Sequence, residues 1–118
     1  MLHHVTLETS AGGADRFAIL LAAVGFGEVD PPAALSDGYR WFERGGTQVH
    51  LAVVAAPVAP PTGHAALVVA PLEPALERLS AHGFEVEERR RHWGARRVVV
   101  AAPDGHRVEL MEAPPDAG

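Results

Sequence analysis

Four residues of this chain have side chains and spacing from which a metal site can be built: His4, His50, His64 and Glu109. Each lies in a segment where apolar and polar residues alternate, a pattern that predicts a β-strand. His64 follows His4 by 60 positions and Glu109 follows His50 by 59, which indicates a repeated unit. Imidazole and carboxylate groups bind borderline divalent ions, and Zn, Ni, Co, Mn and Fe(II) all suit this set.

The alternation also predicts the face on which each of these side chains lies. Val49 precedes His50 and Val108 precedes Glu109, so apolar and polar side chains point to opposite faces of their strands. The same phase is predicted for the strands that carry the other two histidines. If the apolar faces pack on helices, the four polar side chains lie on the concave side of the sheets and can share one ion.

The remaining histidines are interpreted as non-ligands because they lack the phase or the repeat relation: His3, His82, His92 and His106. His3 is the main rival of His4, since a shift of one residue in the strand register exchanges their faces. A single histidine on a strand is more often a surface or core residue than a ligand. The metal hypothesis therefore depends on the four side chains acting together.

Glycine positions support the internal repeat. Gly83 follows Gly25 by 58 positions, and Gly105 follows Gly46 by 59. Each half then has the same order of a strand, a helix and three strands. This order predicts an α+β fold with two βαβββ modules.

The two modules are expected to span about residues 1–54 and 63–113 of a single domain covering 1–118. Neither module is large enough for a core of its own, so they are expected to pack through their sheets with the helices outside. Helices are predicted at 14–24 and 71–82, the second with Pro71 in its first turn, and the small residues 10–13 are interpreted as a loop. The predicted strands span 2–8, 26–30, 38–44, 47–54, 64–69, 84–90, 95–101 and 107–112.

Composition excludes several classes of chemistry. All ten basic residues are arginine, so there is no lysine for a Schiff base or a P-loop, and there is no cysteine for a thiolate. The net charge of −5 gives little support to nucleic-acid binding, and the short basic segment 89–91 is interpreted as a solvated strand end. No apolar run predicts a membrane span or a signal peptide, so we expect a cytoplasmic protein.

The resemblance to a known family rests on four motifs: HVTL at 4–7, GTQVHL at 46–51, GHA at 63–65 and PDGHRVEL at 103–110. Through them the chain resembles the vicinal oxygen chelate superfamily, which includes glyoxalase I, extradiol dioxygenases, fosfomycin-resistance thiol transferases, bleomycin-resistance proteins and methylmalonyl-CoA epimerases. The resemblance covers essentially the whole sequence. It implies paired βαβββ modules that form a cupped mixed sheet around a metal ion, with the helices outside.

The resemblance also implies which residues bind the metal. The family takes ligands from the first strand of each module and from the last strand, and these positions match His4, His64 and Glu109. A fourth-strand position, often Glu or Gln in glyoxalases and epimerases, matches His50. Family members commonly have Asp before the Pro-Asp-Gly turn, where this chain has Ala102, and the fosfomycin enzymes use a lysine that is absent here.

The function expected from the resemblance is that of a metal-dependent, glyoxalase-like lyase or isomerase. Such an enzyme binds two neighbouring oxygens of its substrate to the ion and transfers a proton, for which Glu109 is the candidate catalytic base. One alternative is a non-enzymatic small-molecule or antibiotic-binding protein of the bleomycin-resistance type. Another is an Fe(II) ring-cleaving dioxygenase, although an additional His50 ligand would use a position needed for O₂.

Four further residues are candidates for substrate contact: Thr6, Tyr39, Trp41 and Arg97. Thr6 matches a substrate-contacting threonine of the fosfomycin enzymes, and the two aromatic residues share a strand face that can wall a pocket. Arg96 and Arg97 are adjacent, so one of them, taken as Arg97, can point inward to meet an anionic small-molecule substrate, and an exposed salt bridge is the alternative. A homodimer is expected, because short modules leave sheet edges to cover. The sequence leaves open whether a thiol cofactor is used and whether modules pair within one chain or between two.

Overall fold

The computed structural model describes residues 1–115, which form two modules of the same order. The first module contains β1 (His4–Thr9), α1 (Ala11–Ala23), β2 (Gly27–Val29), β3 (Tyr39–Arg44) and β4 (Thr47–Val53). The second contains β5 (Ala65–Val68), α2 (Glu73–Ala81), β6 (Val86–Arg89), β7 (Arg97–Ala101) and β8 (Arg107–Met111). Single 3₁₀ turns span Ala33–Leu35 and Pro103–Gly105.

Each module contains one four-stranded mixed sheet. The strand orders are β1-β4-β3-β2 in the first sheet and β5-β8-β7-β6 in the second. In both sheets the first and last strands of the module pair in parallel, and the other pairs are antiparallel. The predicted α+β fold with two βαβββ modules is therefore confirmed.

The core forms where one face of each sheet meets the helices. Phe17 and Leu20 of α1 and Leu79 of α2 are fully buried. Leu51 of β4 and Leu110 of β8 are also fully buried, as the alternation predicts. Burying a side chain of this size contributes roughly 1.5–3 kcal/mol, so the apolar phase of the strands fixes which face is left for chemistry.

Helix α1 begins three residues earlier than predicted. The Ser10 hydroxyl accepts a hydrogen bond from the Gly13 N–H at 3.0 Å, so the supposed loop at 10–13 is the cap and first turn of the helix. Gly13 is needed there, because a Cβ at this position would lie 2.3 Å from both the Thr9 hydroxyl and the Asp104 carboxylate.

Helix α2 differs from the prediction at its first turn. It begins at Glu73 with Pro74 near its start, whereas Pro71 precedes the helix. Proline fits the first turn because the N–H that it lacks has no partner inside the helix. Neither α-helix within residues 1–115 has the length and apolarity that crossing a membrane would require.

Within one chain the modules meet through their helices. Arg78 of α2 donates to the carbonyl of Ala23 at the end of α1 at 2.8 Å, and Arg16 of α1 donates to the carbonyl of His82 after α2 at 2.9 Å. Each helix thus satisfies a terminal carbonyl of the other. The two sheets were expected to pack on each other, but within residues 1–115 the modules meet through α1 and α2 instead.

A second contact joins the Pro-Asp-Gly turn to the first module. The Asp104 carboxylate accepts hydrogen bonds from the Thr9 hydroxyl at 2.6 Å and the Ser10 N–H at 2.7 Å. These bonds hold the pKa of Asp104 below its ordinary value, as expected for a carboxylate at a helix N-terminus. His106, predicted as a non-ligand, is buried beside this contact, and its Nε2 donates to the Glu8 carbonyl at 2.7 Å.

Candidate metal and substrate site

The polar face of the first sheet is built around His50. The strand register places Thr6 of β1 and Trp41 of β3 on either side of it. The His50 ring stacks on the Trp41 ring with centroids 3.9 Å apart and on the His4 ring with centroids 4.0 Å apart. His50 is therefore enclosed by aromatic rings and only 5% exposed.

Hydrogen bonds fix the protonation of His50. Its Nε2 lies 2.7 Å from the Gln48 side-chain oxygen, and the Gln48 amide nitrogen donates to Glu43 at 3.0 Å. Because the oxygen of Gln48 can only accept, His50 carries its proton on Nε2. Burial, followed by the nearby His4 and His3, lowers the pKa of His50, so the ring is neutral at pH 7.

The rivalry between His3 and His4 has a structural counterpart. Val5 packs against the core from the face opposite His4, as predicted. His3 nevertheless stays in the same cluster, because its Nδ1 lies 3.0 Å from Nδ1 of His4. Its carbonyl accepts the Gln48 N–H at 2.8 Å, which fixes the start of the strand.

The predicted aromatic wall belongs to this same face. Tyr39 lies two positions before Trp41 on β3 and is 38% exposed. Trp41 is half-buried, and its indole N–H finds no hydrogen-bond partner within residues 1–115. Thr6 is exposed beside them. Three of the four predicted substrate contacts therefore lie on the first sheet.

The polar face of the second sheet is built around Glu109. Its neighbours Val108 and Leu110 are buried in the core, while Glu109 points to the other face and is 7% exposed. Its Oε1 lies 3.2 Å from Nε2 of His64, which immediately precedes β5. The predicted pair of ligands is thus brought together in this module.

The tautomer of His64 makes this contact unusual. Its Nδ1 lies 2.9 Å from the carbonyl oxygen of Thr62, and a carbonyl can only accept, so Nδ1 carries a proton. If the ring is neutral, Nε2 then presents a lone pair to the acceptor oxygen of Glu109. The arrangement calls for a positive charge between Nε2 and Oε1, either a proton that makes the ring cationic or a metal ion.

Arg97 fixes the other oxygen of the carboxylate. Its Nε donates to Oε2 of Glu109 at 2.9 Å, and its Nη1 donates to the carbonyl of Arg90 at 2.9 Å. Burial opposes ionisation of Glu109, but the hydrogen bond from Arg97 and the neighbouring His64 outweigh it, so the pKa of Glu109 is lowered. Glu109 is a carboxylate at pH 7.

A cavity of about 400 Å³ opens over this pair. It is lined by His64, Arg89, Arg90, His92, Arg97, Val99, Arg107 and Glu109. Sequence reasoning missed three of its arginines and His92. A usable signal was present for Arg107, because it lies two positions before Glu109 and so shares its face.

The four predicted ligands form two pairs rather than one group. His4 and His50 stack on the first sheet, and His64 and Glu109 meet on the second. Within residues 1–115, no three His, Cys, Asp or Glu side chains are arranged to hold one metal ion. Each polar face is exposed along one edge strand. The exposed residues include His4 and Thr6 on β1, and Ala66 and Val68 on β5.

The sequence model of the Glyoxalase/Bleomycin resistance protein/Dioxygenase superfamily matches residues 20–110. No curated protein gives a significant match. A glyoxalase family protein from Bacillus anthracis is 25% identical, with a TM-score of 0.83, and the alignment covers 97% of this chain and 95% of that one.

Two other solved structures share the fold at lower identity. FosX from Listeria monocytogenes is 22% identical with a TM-score of 0.75, over 97% of this chain and 91% of that one. A mutant of that FosX has been solved with Mn(II) and 1S,2S-dihydroxypropylphosphonic acid. The oxidase ChaP-H2 is 18% identical with a TM-score of 0.76, over 100% of this chain and 97% of that one. The match of the family model to most of the chain, together with the two-module fold, shows that this protein belongs to the Glyoxalase/Bleomycin resistance protein/Dioxygenase superfamily.

Proposed function

We propose that this protein is a metal-dependent enzyme of the glyoxalase type. It would catalyse proton transfer, as a lyase or isomerase, on a small substrate that carries two neighbouring oxygens. The observation that carries the proposal is the contact between Nε2 of His64 and Oε1 of Glu109. With Nδ1 protonated, Nε2 of His64 faces Oε1 of Glu109, and both atoms have lone pairs. Thr62 binds Nδ1 of His64, and Arg97 binds Oε2 of Glu109.

The donor atoms fit a divalent ion. Two ligands at right angles on an ion, each about 2.1 Å from it, lie about 3.0 Å apart. The observed separation of 3.2 Å between Nε2 and Oε1 is close to this value. A hydrogen bond from the other ring nitrogen to a carbonyl is also the usual way in which a metal-binding histidine is oriented. His64 and Glu109 are therefore the ligands best supported by contacts.

The remaining ligands would come from a second copy of the chain. His4, stacked on His50, lies on the other sheet, and both polar faces are left open in the single chain. A homodimer in which the first sheet of one copy faces the second sheet of the other would bring all four residues together. His4 is the better third ligand, since it is exposed, whereas the Nε2 of His50 is already bound to Gln48.

In the proposed reaction, the ion and the residues around it would have separate roles. A bound divalent ion supplies Lewis acidity and positions for two substrate oxygens. Glu109, ionised at pH 7, would accept the substrate proton, and Arg97 orients it by holding Oε2. Tyr39 and Trp41, on the first sheet, would shield the site from water.

Imidazole and carboxylate donors suit Zn, Ni, Co, Mn and Fe(II). Mn(II) is the first to test, because a FosX structure contains it together with a ligand bearing hydroxyl groups on neighbouring carbons. A non-enzymatic binder would use the stacked rings of Trp41 and His50 to hold a planar molecule. An Fe(II) dioxygenase would consume O₂, which the expected reaction does not. No thiol cofactor is assigned.

The test begins with the metal content of untagged protein. We expect one ion per site, a sedimentation mass of twice 12.5 kDa, and activity in a screen of α-ketoaldehyde–thiol adducts. His64→Ala and Glu109→Ala should lose the metal, whereas the exposed His82→Ala should retain it. A protein that stays monomeric and takes up none of the five ions would refute the proposal.

A second comparison separates the two roles of Glu109. If it is both ligand and base, Glu109→Gln should lose activity more completely than it loses metal, because the amide still offers an oxygen but cannot take a proton. Equal loss of both would leave Glu109 as a ligand only. Metal binding without any activity, combined with tight binding of planar ligands, would favour the binder.

A further inference from the structure

The cavity above Glu109 has a charge opposite to that of the chain as a whole. Four of its eight lining residues are arginines and one is a glutamate, so these five side chains carry a net charge of +3. The whole chain carries −5. Four of the ten basic residues are therefore gathered at one cavity of an acidic protein.

The strand register makes this concentration costly. Arg89 of β6 lies directly opposite Arg97 of β7. Like charges at directly opposed positions of an antiparallel pair destabilise the sheet. Within residues 1–115, the carboxylate paired with Arg89 is that of Glu87, 3.4 Å away on an exposed surface. An arrangement that opposes stability is a reason to look for a ligand that relieves it.

The arginines keep donors available for such a ligand. Arg97 uses Nε and Nη1 on protein acceptors, which leaves Nη2. Arg107 donates to the Pro61 carbonyl at 3.1 Å through Nη2, which leaves Nε and Nη1 without an acceptor within residues 1–115. A guanidinium carries five N–H donors in a planar fork that matches the oxygens of an oxyanion. Arg89, Arg97 and Arg107 together form what we name the arginine cradle.

We propose that the arginine cradle binds the dianionic head group of the substrate, a tetrahedral oxyanion of the phosphate or phosphonate class. This rests on the proposed function only in treating the anion as part of the substrate. A charge of +3 leaves room for two negative charges, and a cavity of about 400 Å³ accommodates a small molecule. With the head group in the cradle, the rest of the ligand lies against His64 and Glu109, which line the same cavity.

The neighbouring Arg96 provides a matched control. It lies next to Arg97 on the chain but pairs with Glu73 and Glu88 and does not line the cavity. Arg89→Gln, Arg107→Gln and Arg96→Gln each remove one positive charge. Only the first two remove it from the cradle.

The experiment titrates inorganic phosphate into full-length, metal-free protein by calorimetry at about pH 8, where the probe is close to a dianion. We expect Arg89→Gln and Arg107→Gln to weaken binding by at least about tenfold, as for loss of a charge-assisted hydrogen bond. Arg96→Gln should change it less than twofold, and acetate should bind much more weakly than phosphate. Thermal melts check that each variant is folded.

Failure of this proposal is distinguishable from failure of the proposed function, because the titration needs no metal. No phosphate binding, an equal loss in Arg96→Gln, or equal binding of acetate would each overturn the cradle while leaving the metal site untouched. Phosphate binding by a protein that takes up no divalent ion would support the cradle and refute the metal enzyme.

Discussion

The two sheets have the same strand order, but the side chains on their polar faces differ in charge. On the first, a neutral His50 lies between the rings of Trp41 and His4. On the second, the equivalent position is Glu109, ionised and bound to Arg97. The internal repeat therefore preserves the apolar phase that builds the core, while the opposite phase is free to change.

This contrast explains how each face tolerates a buried titratable group. His50 is accommodated by losing its charge, since burial lowers its pKa. Glu109 keeps its charge because an arginine lies beside it, and the ion pair offsets the cost of burial. The first face is thus suited to packing against flat groups, and the second to charged ligands.

The largest expected effect is on the free energy of unfolding and concerns the ion pair of Arg97 and Glu109 on the second sheet. Arg97→Gln would leave the Glu109 carboxylate buried without its ionic partner, which should lower the free energy of unfolding by about 3 kcal/mol. Arg96→Gln removes an exposed network and should cost less than about 1 kcal/mol. Urea unfolding of both variants at neutral pH measures the difference. Equal losses would show that the pair of Arg97 and Glu109 contributes no more to stability than the exposed contacts of Arg96.

The next effect tests the contact that joins the two modules. Asp104→Ala would remove the acceptor for the Ser10 N–H and for the Thr9 hydroxyl, which is fully buried. We expect a loss of about 2 kcal/mol in unfolding free energy, from the lost cap and the unsatisfied hydroxyl. The exposed Asp30→Ala should change it by less than about 0.5 kcal/mol. A similar result for both would contradict the proposed role of Asp104.

A smaller effect is the pH dependence of stability, which should differ between His50 on the first sheet and Glu109 on the second. The folded pKa of His50 is below its ordinary 6.5, so stability from this group is complete above 6.5 and is lost as pH falls through the folded value. The folded pKa of Glu109 is below its ordinary 4.5, so its contribution is lost only below 4.5. Thermal melts of metal-free His50→Gln between pH 7.5 and 5 should show a weaker pH dependence than wild type. The same slope in both proteins would count against a depressed His50 pKa.

The smallest effect concerns the cost of the cradle. Arg89→Gln removes a like charge opposite Arg97 and should raise the free energy of unfolding slightly, by about 0.3 kcal/mol. The effect should shrink at high salt, because the repulsion is between partly exposed charges. A clear loss of stability would mean that Arg89 makes a favourable contact in the folded protein and that its placement carries no penalty.

Local patterns were enough to predict the repeating order of elements and the faces of the strands. Val49 and Val108 are buried on the sides predicted, because alternation is set by strand geometry alone. The start of α1 could not be found in this way. Its glycine-rich first turn is stabilised from outside the helix, by the carboxylate of Asp104.

The site was predictable only as separate pieces. The alternation predicted that His64 and Glu109 share the polar face, but the stacking of Trp41 on His50 depends on strand register. Arg89 was interpreted as part of a solvated strand end, because the sequence does not show that Arg97 lies opposite it in the sheet. In the proposed homodimer, the pairing of the polar faces would depend on contacts between two chains, which no local pattern encodes.

The bond between Thr9 and Asp104 also bears on how the chain acquires its shape during synthesis. The acceptor is translated 95 residues after the donor, so a ribosome must synthesise the second module up to its Pro-Asp-Gly turn before this link can close. The first helix would emerge with its amino end open, and its final docking would wait until Asp104 has left the ribosome. Protease sensitivity of ribosome-bound chains stalled before and after residue 104 has emerged would reveal that order, and early protection would disprove it.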